Sequence, residues 1–345
     1  MARLLHNLLL LTVGLTLKIR VMGYWSLIYG YCALCTGVAL LKLGWNIILR
    51  PSTTFQWTVR ETPPACLNDT SLGTHCYVRI KESGLRFHYV AAGERGKPLM
   101  LFLHGFPEFW FSWRHQLREF KSEFRVVAVD MRGYGESDLP SSTESYQLDY
   151  LVTDIKDIVE YLGYNRCLLV GHDWGGIIAW LCAIHYPEMV TKLIVLNSPH
   201  PCVFTEFMLS INDFKALKSL FTSRSTGISC KGRWLTTEDL EAYLYALSQP
   251  GALTGALNYF RNVFSVLPLS HCEVRSPVLL LWGERDAFLE QDMAEACRLY
   301  IRNHFRLNII SGASHWLQQD QPDIVNTLIW TFIKEGEGRK HYRNL

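Results

Sequence analysis

The sequence predicts an α/β fold with a mostly parallel central sheet, into which a helical cap is inserted and which one transmembrane helix precedes. Short apolar runs alternate with segments whose apolar residues recur at helical spacing, and the run at residues 99–103 is apolar without a break. Such runs are typical of strands buried on both faces, and strands that alternate with helices form parallel sheets through right-handed crossovers. The alternation stops between residues 199 and 271, which predicts the insertion.

The first fifty residues predict a single-pass membrane anchor. Residues 21–41 contain no acidic or basic side chain, and roughly 20 apolar residues suffice to cross a bilayer. The apolar run at residues 4–17 is too short, and a cleaved signal peptide fits less well because the longer run follows the positive charges of Lys18 and Arg20. Positive side chains lie on both sides of the span, whereas the glycosylation sequon at Asn68 favours a type II orientation. The membrane we expect is that of the endoplasmic reticulum.

The elements of the core follow in order from about residue 75. A hairpin is predicted at residues 76–80 and 85–91, because two strand-like runs flank the turn Ser83-Gly84. Apolar runs predict further strands at residues 99–103, 124–129, 168–170, 193–196, 278–282 and 306–310. Apolar residues at helical spacing predict helices at residues 110–120, 150–162, 177–186, 293–302 and 322–334.

These elements give the predicted domain organisation. It consists of an anchor at 1–50, a juxtamembrane linker at 51–74, an α/β core at 75–198 and 272–335, a cap at 199–271 and a polar tail at 336–345. An insertion into a parallel sheet usually lies over the carboxyl ends of the strands, where ligands bind. The cap is therefore expected to cover the functional site.

Charge and cysteine content exclude several function classes. A net charge of +2, with no extended basic block, offers no electrostatic surface for nucleic acid. The ten cysteines lack the paired spacing of zinc sites and are interpreted as small buried apolar side chains. We therefore expect no nucleic-acid partner, no metal and no organic cofactor.

The most informative stretch is the sequence Gly171-His172-Asp173-Trp174-Gly175. An apolar strand precedes it and a helical segment follows it, so the five residues form a sharp turn between strand and helix. In this nucleophile-elbow pattern the glycines permit close packing, and the central side chain projects into a cleft. The central residue here is an aspartate, which predicts a carboxylate nucleophile.

Two further strand ends carry the partners that this nucleophile needs. Asp286 follows the strand at 278–282 and His315 follows the last strand, which gives the chain order nucleophile, acid, histidine. Glu284 is the nearest alternative to Asp286, and His172 is the nearest alternative to His315. Glu284 lies closer to its strand, and His172 is adjacent to the nucleophile and would face the wrong way for a base.

A fourth loop predicts an oxyanion hole. The tetrapeptide His104-Gly105-Phe106-Pro107 follows the first buried strand. The backbone N–H of Phe106 can pair with that of Trp174 to bind an oxyanion beside the nucleophile.

With these motifs, the chain from about residue 74 to 334 resembles the epoxide hydrolase branch of the α/β-hydrolase family. The motifs that carry the resemblance are those at residues 104–108, 132–138, 171–176, 282–286 and 314–316. The resemblance implies an α/β-hydrolase fold and a cap tyrosine that protonates the leaving oxygen, and Tyr259 matches the second such tyrosine of the family. The first is missing, because no tyrosine lies between Tyr186 and Tyr243. Relative to the family that the chain resembles, the cap is therefore expected to be shortened at this point.

The expected chemistry follows from an ionised nucleophile. A carboxylate with a reference pKa of about 3.9 attacks an sp³ carbon without prior proton removal, and His315, oriented by Asp286, then activates water to hydrolyse the alkyl ester. We expect a membrane-bound enzyme that opens lipophilic epoxides to vicinal diols, with the epoxide, water and the lipid bilayer as its partners. Two alternatives stay open: a catalytically weak or silent lipid-binding or interaction protein, and a haloalkane dehalogenase-like hydrolase.

Overall fold

The computed structural model describes residues 26, 29–31, 33–50, 60–203, 229–230, 233–234, 236–249, 251–252, 255, 259 and 272–341. The chain divides into two compact units: residues 1–58 with 210–215, and residues 59–209 with 216–345. Residues 21–25 of the predicted span, part of the linker and the segment where the first cap tyrosine is missing lie outside the described residues.

The first unit contains an apolar helix at Tyr29–Leu49 with a mean hydropathy of 1.7 and no buried side chains in its apolar window. Ser26 is helical as well, and the predicted start of the span at residue 21 lies outside the described residues. The prediction ended before Lys42, but the helix continues past that residue. Lysine is a good helix former, and a single charge does not interrupt the backbone hydrogen bonds.

The second unit contains a sheet of eight strands. In chain order these strands are β1 (Thr74–Arg79), β2 (Arg86–Ala92), β3 (Leu99–Leu103), β4 (Arg125–Val129), β5 (Cys167–His172), β6 (Val190–Leu196), β9 (Val278–Gly283) and β10 (Phe305–Ile310), while β7 (Ser229–Cys230) and β8 (Arg233–Trp234) form a separate hairpin. Their spatial order is β1-β2-β4-β3-β5-β6-β9-β10. The two pairings of β2 are antiparallel and the others are parallel, which confirms the predicted mostly parallel sheet.

Helices cover both faces of this sheet because its central strands are buried on both sides. In β3 the side chain of Leu101 belongs to one core cluster, whereas Met100 and Phe102 belong to the other. The first cluster includes the helices Leu148–Tyr161 and Trp174–His185, and the second includes Arg114–Phe120, Leu317–Asp320 and Pro322–His341. Alternation along the strand thus supplies two apolar layers.

Three predicted helices differ from the structure by more than a shift of up to three residues at their ends. The predicted helix at 110–120 begins as a 3-10 turn at Trp110–Trp113, and the one at 293–302 consists of the helix Asp292–Ala296 and a 3-10 turn at Cys297–Tyr300. The last helix continues to His341, into the predicted polar tail. Apolar spacing does not separate 3-10 from α geometry, and polar helix formers extend a helix beyond its buried part.

The described part of the predicted cap includes the helix Thr237–Ser248. Thr236 and Asp239 form a reciprocal capping box at its start, which satisfies backbone N–H groups of the first turn. The buried hydroxyl of Tyr243 donates to Oε1 of Gln319 at 2.6 Å, so this helix packs on the core. The cap boundaries at 199 and 271 stay a prediction.

Candidate active site

The turn at Asp173 joins β5 to the helix Trp174–His185, which we call the elbow helix. Asp173 has φ 51° and ψ −119°, a left-handed conformation that is strained for an aspartate. Its carbonyl accepts hydrogen bonds from the N–H of Ile177 and the hydroxyl of Ser198. A Cβ on Gly171 would lie 2.4 Å from the carbonyl oxygen of Gly175, so the tight turn requires glycine at that position.

The loop after β3 lies directly against the Asp173 carboxylate. The backbone N–H of Phe106 donates to Oδ1 of Asp173 at 2.8 Å. A Cβ on Gly105 would lie 2.4 Å from Cβ of Asp173, so this approach also requires glycine. Because β3 and β5 are neighbours in the sheet, the loops at their carboxyl ends meet. Trp174 supplies the first N–H of the elbow helix, and its side chain is buried.

His315 joins two carboxylates. Its Nδ1 lies 2.8 Å from Oδ2 of Asp286, and its Nε2 lies 3.5 Å from Oδ2 of Asp173. Oδ1 of Asp286 accepts the backbone N–H groups of Phe288 and Leu289. The side chains of His315 and Asp286 are 4% and 1% exposed, whereas that of Asp173 is 21% exposed. Asp173 is therefore the member of the three that a ligand can reach most easily.

The charges of these groups determine their protonation. Burial acts to lower the pKa of His315, but the charge of Asp286 and the hydrogen bonds to both carboxylates outweigh it and raise the pKa to about 10. Burial acts to raise the pKa of Asp173, but the hydrogen bond to His315 and the nearby charges of His315 and His172 lower it below its ordinary value. At neutral pH the resting site thus contains an imidazolium between two carboxylates.

The two alternatives weighed from the sequence have other contacts. The carboxylate of Glu284 accepts from the hydroxyl of Ser311 and the N–H of Gly312 at the protein surface. The buried ring of His172 contacts Oε2 of Glu108 at 2.7 Å through Nδ1 and the carbonyl oxygen of His315 at 2.8 Å through Nε2. Both ring nitrogens of His172 are therefore occupied.

One residue that supports His315, Asn197, was not recognised in the sequence. Asn197, at the end of β6 with φ 41°, donates from Nδ2 to the carbonyl oxygens of Ser314 and His315. Its Oδ1 accepts the N–H of Gly283, so it connects β6, β9 and the histidine loop. An asparagine directly after a strand is a candidate for positive φ, but only the folded chain shows which carbonyls its amide meets.

Tyr259 lies beside the site but does not bring its hydroxyl into hydrogen-bond contact with Asp173. The hydroxyl donates to the carbonyl oxygen of Arg132 at 2.7 Å, and the centroid of the Tyr259 ring lies 6.0 Å from that of the Trp174 ring. Burial raises the pKa of this hydroxyl well above its ordinary value. Within the described part of the chain, the neighbouring hydroxyl of Tyr134 is buried and has no hydrogen-bond partner. The sequence motif at 132–138 gave no indication of this unpaired group.

Comparisons with known proteins identify relatives over most of the chain. A family model described as the alpha/beta hydrolase fold matches residues 98–227. The chain is 66% identical to epoxide hydrolase 4 of Mus musculus, over 92% of this chain and 95% of that protein. It is 44% identical to epoxide hydrolase 3 of Xenopus tropicalis, over 96% and 97%.

A solved structure shares both the fold and part of the sequence. The Bacillus megaterium epoxide hydrolase, crystallised in complex with an inhibitor, superimposes with a TM-score of 0.65 at 33% identity. The match covers 75% of this chain and 100% of the bacterial one.

Proposed function

The chain belongs to the epoxide hydrolases of the α/β-hydrolase fold, and from this premise we propose that it opens lipophilic epoxides at a membrane through an alkyl ester on Asp173. The observation that carries the proposal is the arrangement around one carboxylate. Asp173 contacts the Phe106 N–H through Oδ1 and faces His315 through Oδ2, and His315 in turn contacts Asp286.

In the first step a carboxylate oxygen of Asp173 attacks one carbon of the epoxide. A carbon–oxygen bond to Asp173 forms, the ring carbon–oxygen bond breaks, and its electron pair stays on the leaving alkoxide. The lowered pKa of Asp173 supports this role because the carboxylate is ionised at neutral pH. A carboxylate does not attack the carbon of an ordinary ether. Relief of ring strain makes the epoxide carbon a suitable target.

In the second step water hydrolyses the ester. Nε2 of His315 removes a proton from water, the resulting hydroxide attacks the ester carbon of Asp173, and Asp286 keeps the imidazole oriented. The bond between that carbon and the substrate oxygen then breaks, the departing diol oxygen takes the proton from His315, and the regenerated Asp173 carboxyl group gives its own proton to His315. The N–H groups of Phe106 and Trp174 stabilise the negative charge on the carbonyl oxygen. The 2.8 Å contact of the Phe106 N–H with Oδ1 supports this assignment. No metal or organic cofactor enters either step.

Tyr259 is the proposed donor of the proton that the alkoxide needs. Its hydroxyl must first leave the carbonyl oxygen of Arg132, so acid catalysis includes a change of hydrogen-bond partner. We expect Tyr259→Phe to slow ester formation by about 100-fold, the lower range for a general acid, and to leave ester hydrolysis unchanged. Rapid-mixing measurement of both steps checks this, and an unchanged rate of ester formation would remove Tyr259 from the catalytic residues.

The helix Tyr29–Leu49 supports the membrane part of the proposal. It is long enough to span a bilayer, and large apolar side chains such as Leu41 and Ile48 are more than two-thirds exposed. We propose a single-pass anchor in the endoplasmic reticulum with type II orientation, which places the exposed Asn68 sequon on the lumenal side. An anchored enzyme meets substrates that partition into lipid, which is the basis for proposing lipophilic epoxides.

Labelled water tests the mechanism. Purified protein is incubated with styrene oxide or epoxy fatty acids in ¹⁸O water, and the peptide that contains Asp173 is analysed by mass spectrometry. Diol formation with ¹⁸O in Asp173 after repeated turnover is the expected result, because water attacks the ester carbon and not the substrate carbon. The matched control is Asp173→Asn, and diol formation no faster than that variant would favour a silent binding protein. Halide release from a haloalkane panel would instead favour the dehalogenase alternative.

A further inference from the structure

We propose that His75, His88 and Glu136 form a binding site for a divalent transition-metal ion, with Zn²⁺ as the best fit. One nitrogen of each imidazole and one carboxylate oxygen of Glu136 all lie within 4.8 Å of one another. The site is separate from Asp173, Asp286 and His315, and it does not rest on the proposed reaction.

The hairpin register brings the two histidines together. Tyr77 pairs with His88, and His75 pairs with Val90, so His75 and His88 are diagonal neighbours on one face of the β1–β2 pair. Nδ1 of His75 lies 2.9 Å from Nε2 of His88. Thirteen residues separate them in the sequence, a spacing that resembles no familiar metal motif.

The other two ring nitrogens fix the tautomers. Nε2 of His75 lies 3.0 Å from the carbonyl oxygen of Leu67, which only accepts, so this nitrogen carries a hydrogen. Nδ1 of His88 lies 2.8 Å from Oδ2 of Asp130. The Asp130 carboxylate also accepts the N–H groups of Trp110 and Glu136, so His88 is the donor in this pair. In their neutral forms, both facing nitrogens therefore present lone pairs to each other.

Two lone pairs 2.9 Å apart repel unless a positive charge lies between them. A metal ion and a single shared proton both satisfy this requirement, but the remaining groups favour the metal. Asp130 behind His88 reproduces the carboxylate–histidine arrangement that orients metal-bound imidazoles. Glu136 adds an anionic oxygen, and its Oε2 accepts the hydroxyl of Tyr77, which leaves the other oxygen for an ion.

The size and chemistry of the site agree with Zn²⁺. Two histidines and one carboxylate, with a fourth position open to water, are a common zinc ligand set. A cavity of about 580 Å³ is lined by His75 and Glu136 and provides room for that water. Tetrahedral ligation requires the two nitrogens to lie about 3.3 Å apart, so the rings need to separate by only about 0.4 Å.

The surrounding charges also favour a cation. Asp130 and Glu136 are anionic, and Asp138 in the same loop adds a third carboxylate. The opposing cation is Arg86, whose guanidinium lies over the ring of Tyr77 at 5.0 Å. Among the residues that line this cavity, three carboxylates stand against one guanidinium, which is an excess of negative charge.

Binding of Co²⁺ to the chelator-treated, full-length protein in detergent tests the proposal. We expect about one equivalent per chain to produce the visible absorption of a low-symmetry cobalt site, and we expect Zn²⁺ to displace it. Zn²⁺ should also raise the Tm, because it binds only the folded chain tightly. Neither readout requires epoxide turnover, so failure of the proposed reaction would not affect them.

Three variants locate the site. His75→Gln and Glu136→Gln alter exposed side chains, and each should weaken Co²⁺ affinity by about 100-fold or more because one of three ligands is lost. The matched control is His185→Gln, an exposed histidine at the end of the elbow helix, which should bind like the wild type. Circular dichroism checks that each variant folds.

Three outcomes would overturn the proposal. The first is an absence of Co²⁺ and Zn²⁺ binding by the wild type, and the second is wild-type affinity in His75→Gln. The third is a proton, seen by NMR between Nδ1 of His75 and Nε2 of His88, that persists in excess Zn²⁺.

Discussion

The charge of Asp173 controls the protonation of His315. In the resting site His315 has a pKa of about 10, in part because it faces the anionic Asp173. In the proposed mechanism, ester formation removes that charge, so the pKa of His315 falls below about 10. In that mechanism Asp173 thus keeps a proton on His315 until the ester forms and then favours its release. The same histidine can be an imidazolium before the first step and a base in the second.

Because His315 must lose its proton before it can act as a base, we expect the rate of ester hydrolysis to depend on pH. Between about pH 5 and about pH 10 the single-turnover rate is expected to rise as His315 loses its proton and then to level off, because the pKa of His315 is lower in the ester than in the resting site. Rapid mixing of epoxide with excess enzyme, followed by quenching and mass analysis of the ester, measures this rate. His315→Gln provides the control, because it should accumulate the ester at every pH. A wild-type rate independent of pH over this range would contradict the assignment of His315 as the base.

Asp286 and Glu284 offer a matched comparison on one loop. Asp286 contacts His315, whereas Glu284 contacts Ser311 and Gly312 at the surface. Asp286→Asn should slow ester hydrolysis by about 10³-fold because the imidazole loses its charged partner, while Glu284→Gln should stay within about 2-fold of the wild type. Both rates come from the same single-turnover assay. Similar losses in the two variants would show that the loop, and not the carboxylate on His315, is responsible.

At the scale of elements, the elbow and the loop after β3 act together because their strands are neighbours. The N–H of Phe106 reaches Asp173 only because Gly105 has no side chain between the two loops. Hydrogen bonds from the N–H of Ile177 and the hydroxyl of Ser198 to its carbonyl hold Asp173 at its strained φ. The relative positions of Asp173 and the Phe106 N–H therefore depend on the spacing of two adjacent strand ends. Small changes in that spacing should alter them.

Replacement of Gly105 by alanine tests this coupling. The added Cβ would lie 2.4 Å from Cβ and 2.5 Å from Oδ1 of Asp173, so the nucleophile must move. We expect ester formation to slow by about 100-fold or more, since displacements of about 1 Å at a reacting group have effects of that size. Gly37→Ala in the N-terminal helix, where an added Cβ meets nothing within 4 Å, should leave the rate unchanged. Normal activity in Gly105→Ala would show that the close approach is dispensable.

At the scale of the whole molecule, the two compact units differ in how much of their apolar surface is buried. The described part of residues 1–58 is an exposed apolar helix, whereas residues 59–209 with 216–345 contain the entire eight-stranded sheet and both core clusters. The larger unit can therefore bury its own core. The apolar helix gains stability from a nonpolar environment such as a bilayer.

Removal of the first 58 residues separates anchoring from chemistry. The chain comprising residues 59–345 should remain folded and should lose co-sedimentation with lipid vesicles, while its activity on a water-soluble epoxide such as styrene oxide stays within about 3-fold of the full-length enzyme. Vesicle sedimentation and diol formation are measured on both chains. Retained vesicle binding in the shortened chain would show that the helix Tyr29–Leu49 is not the main membrane contact.

The sequence by itself determined the fold class and the identity of the central nucleophile candidate. Uninterrupted apolar strands specify burial on both faces, and the glycines around Asp173 specify the elbow, because both signals are local along the chain. The same local signals placed Asp286 and His315 at strand ends. They predicted Asp286 and kept Glu284 as the nearest alternative, because both follow the same strand. Only the direction of each side chain in space shows which carboxylate contacts His315.

Only the tertiary structure decided which groups meet across the sheet. It joined Asn197 to the histidine loop, directed the hydroxyl of Tyr259 to the carbonyl of Arg132, and brought His75 and His88 within 2.9 Å through strand register. None of these contacts has a sequence signature, because each depends on the packing or the register of the elements that carry the two groups. Local patterns specify the elements, whereas packing and register specify which polar atoms share a proton, a charge or an ion.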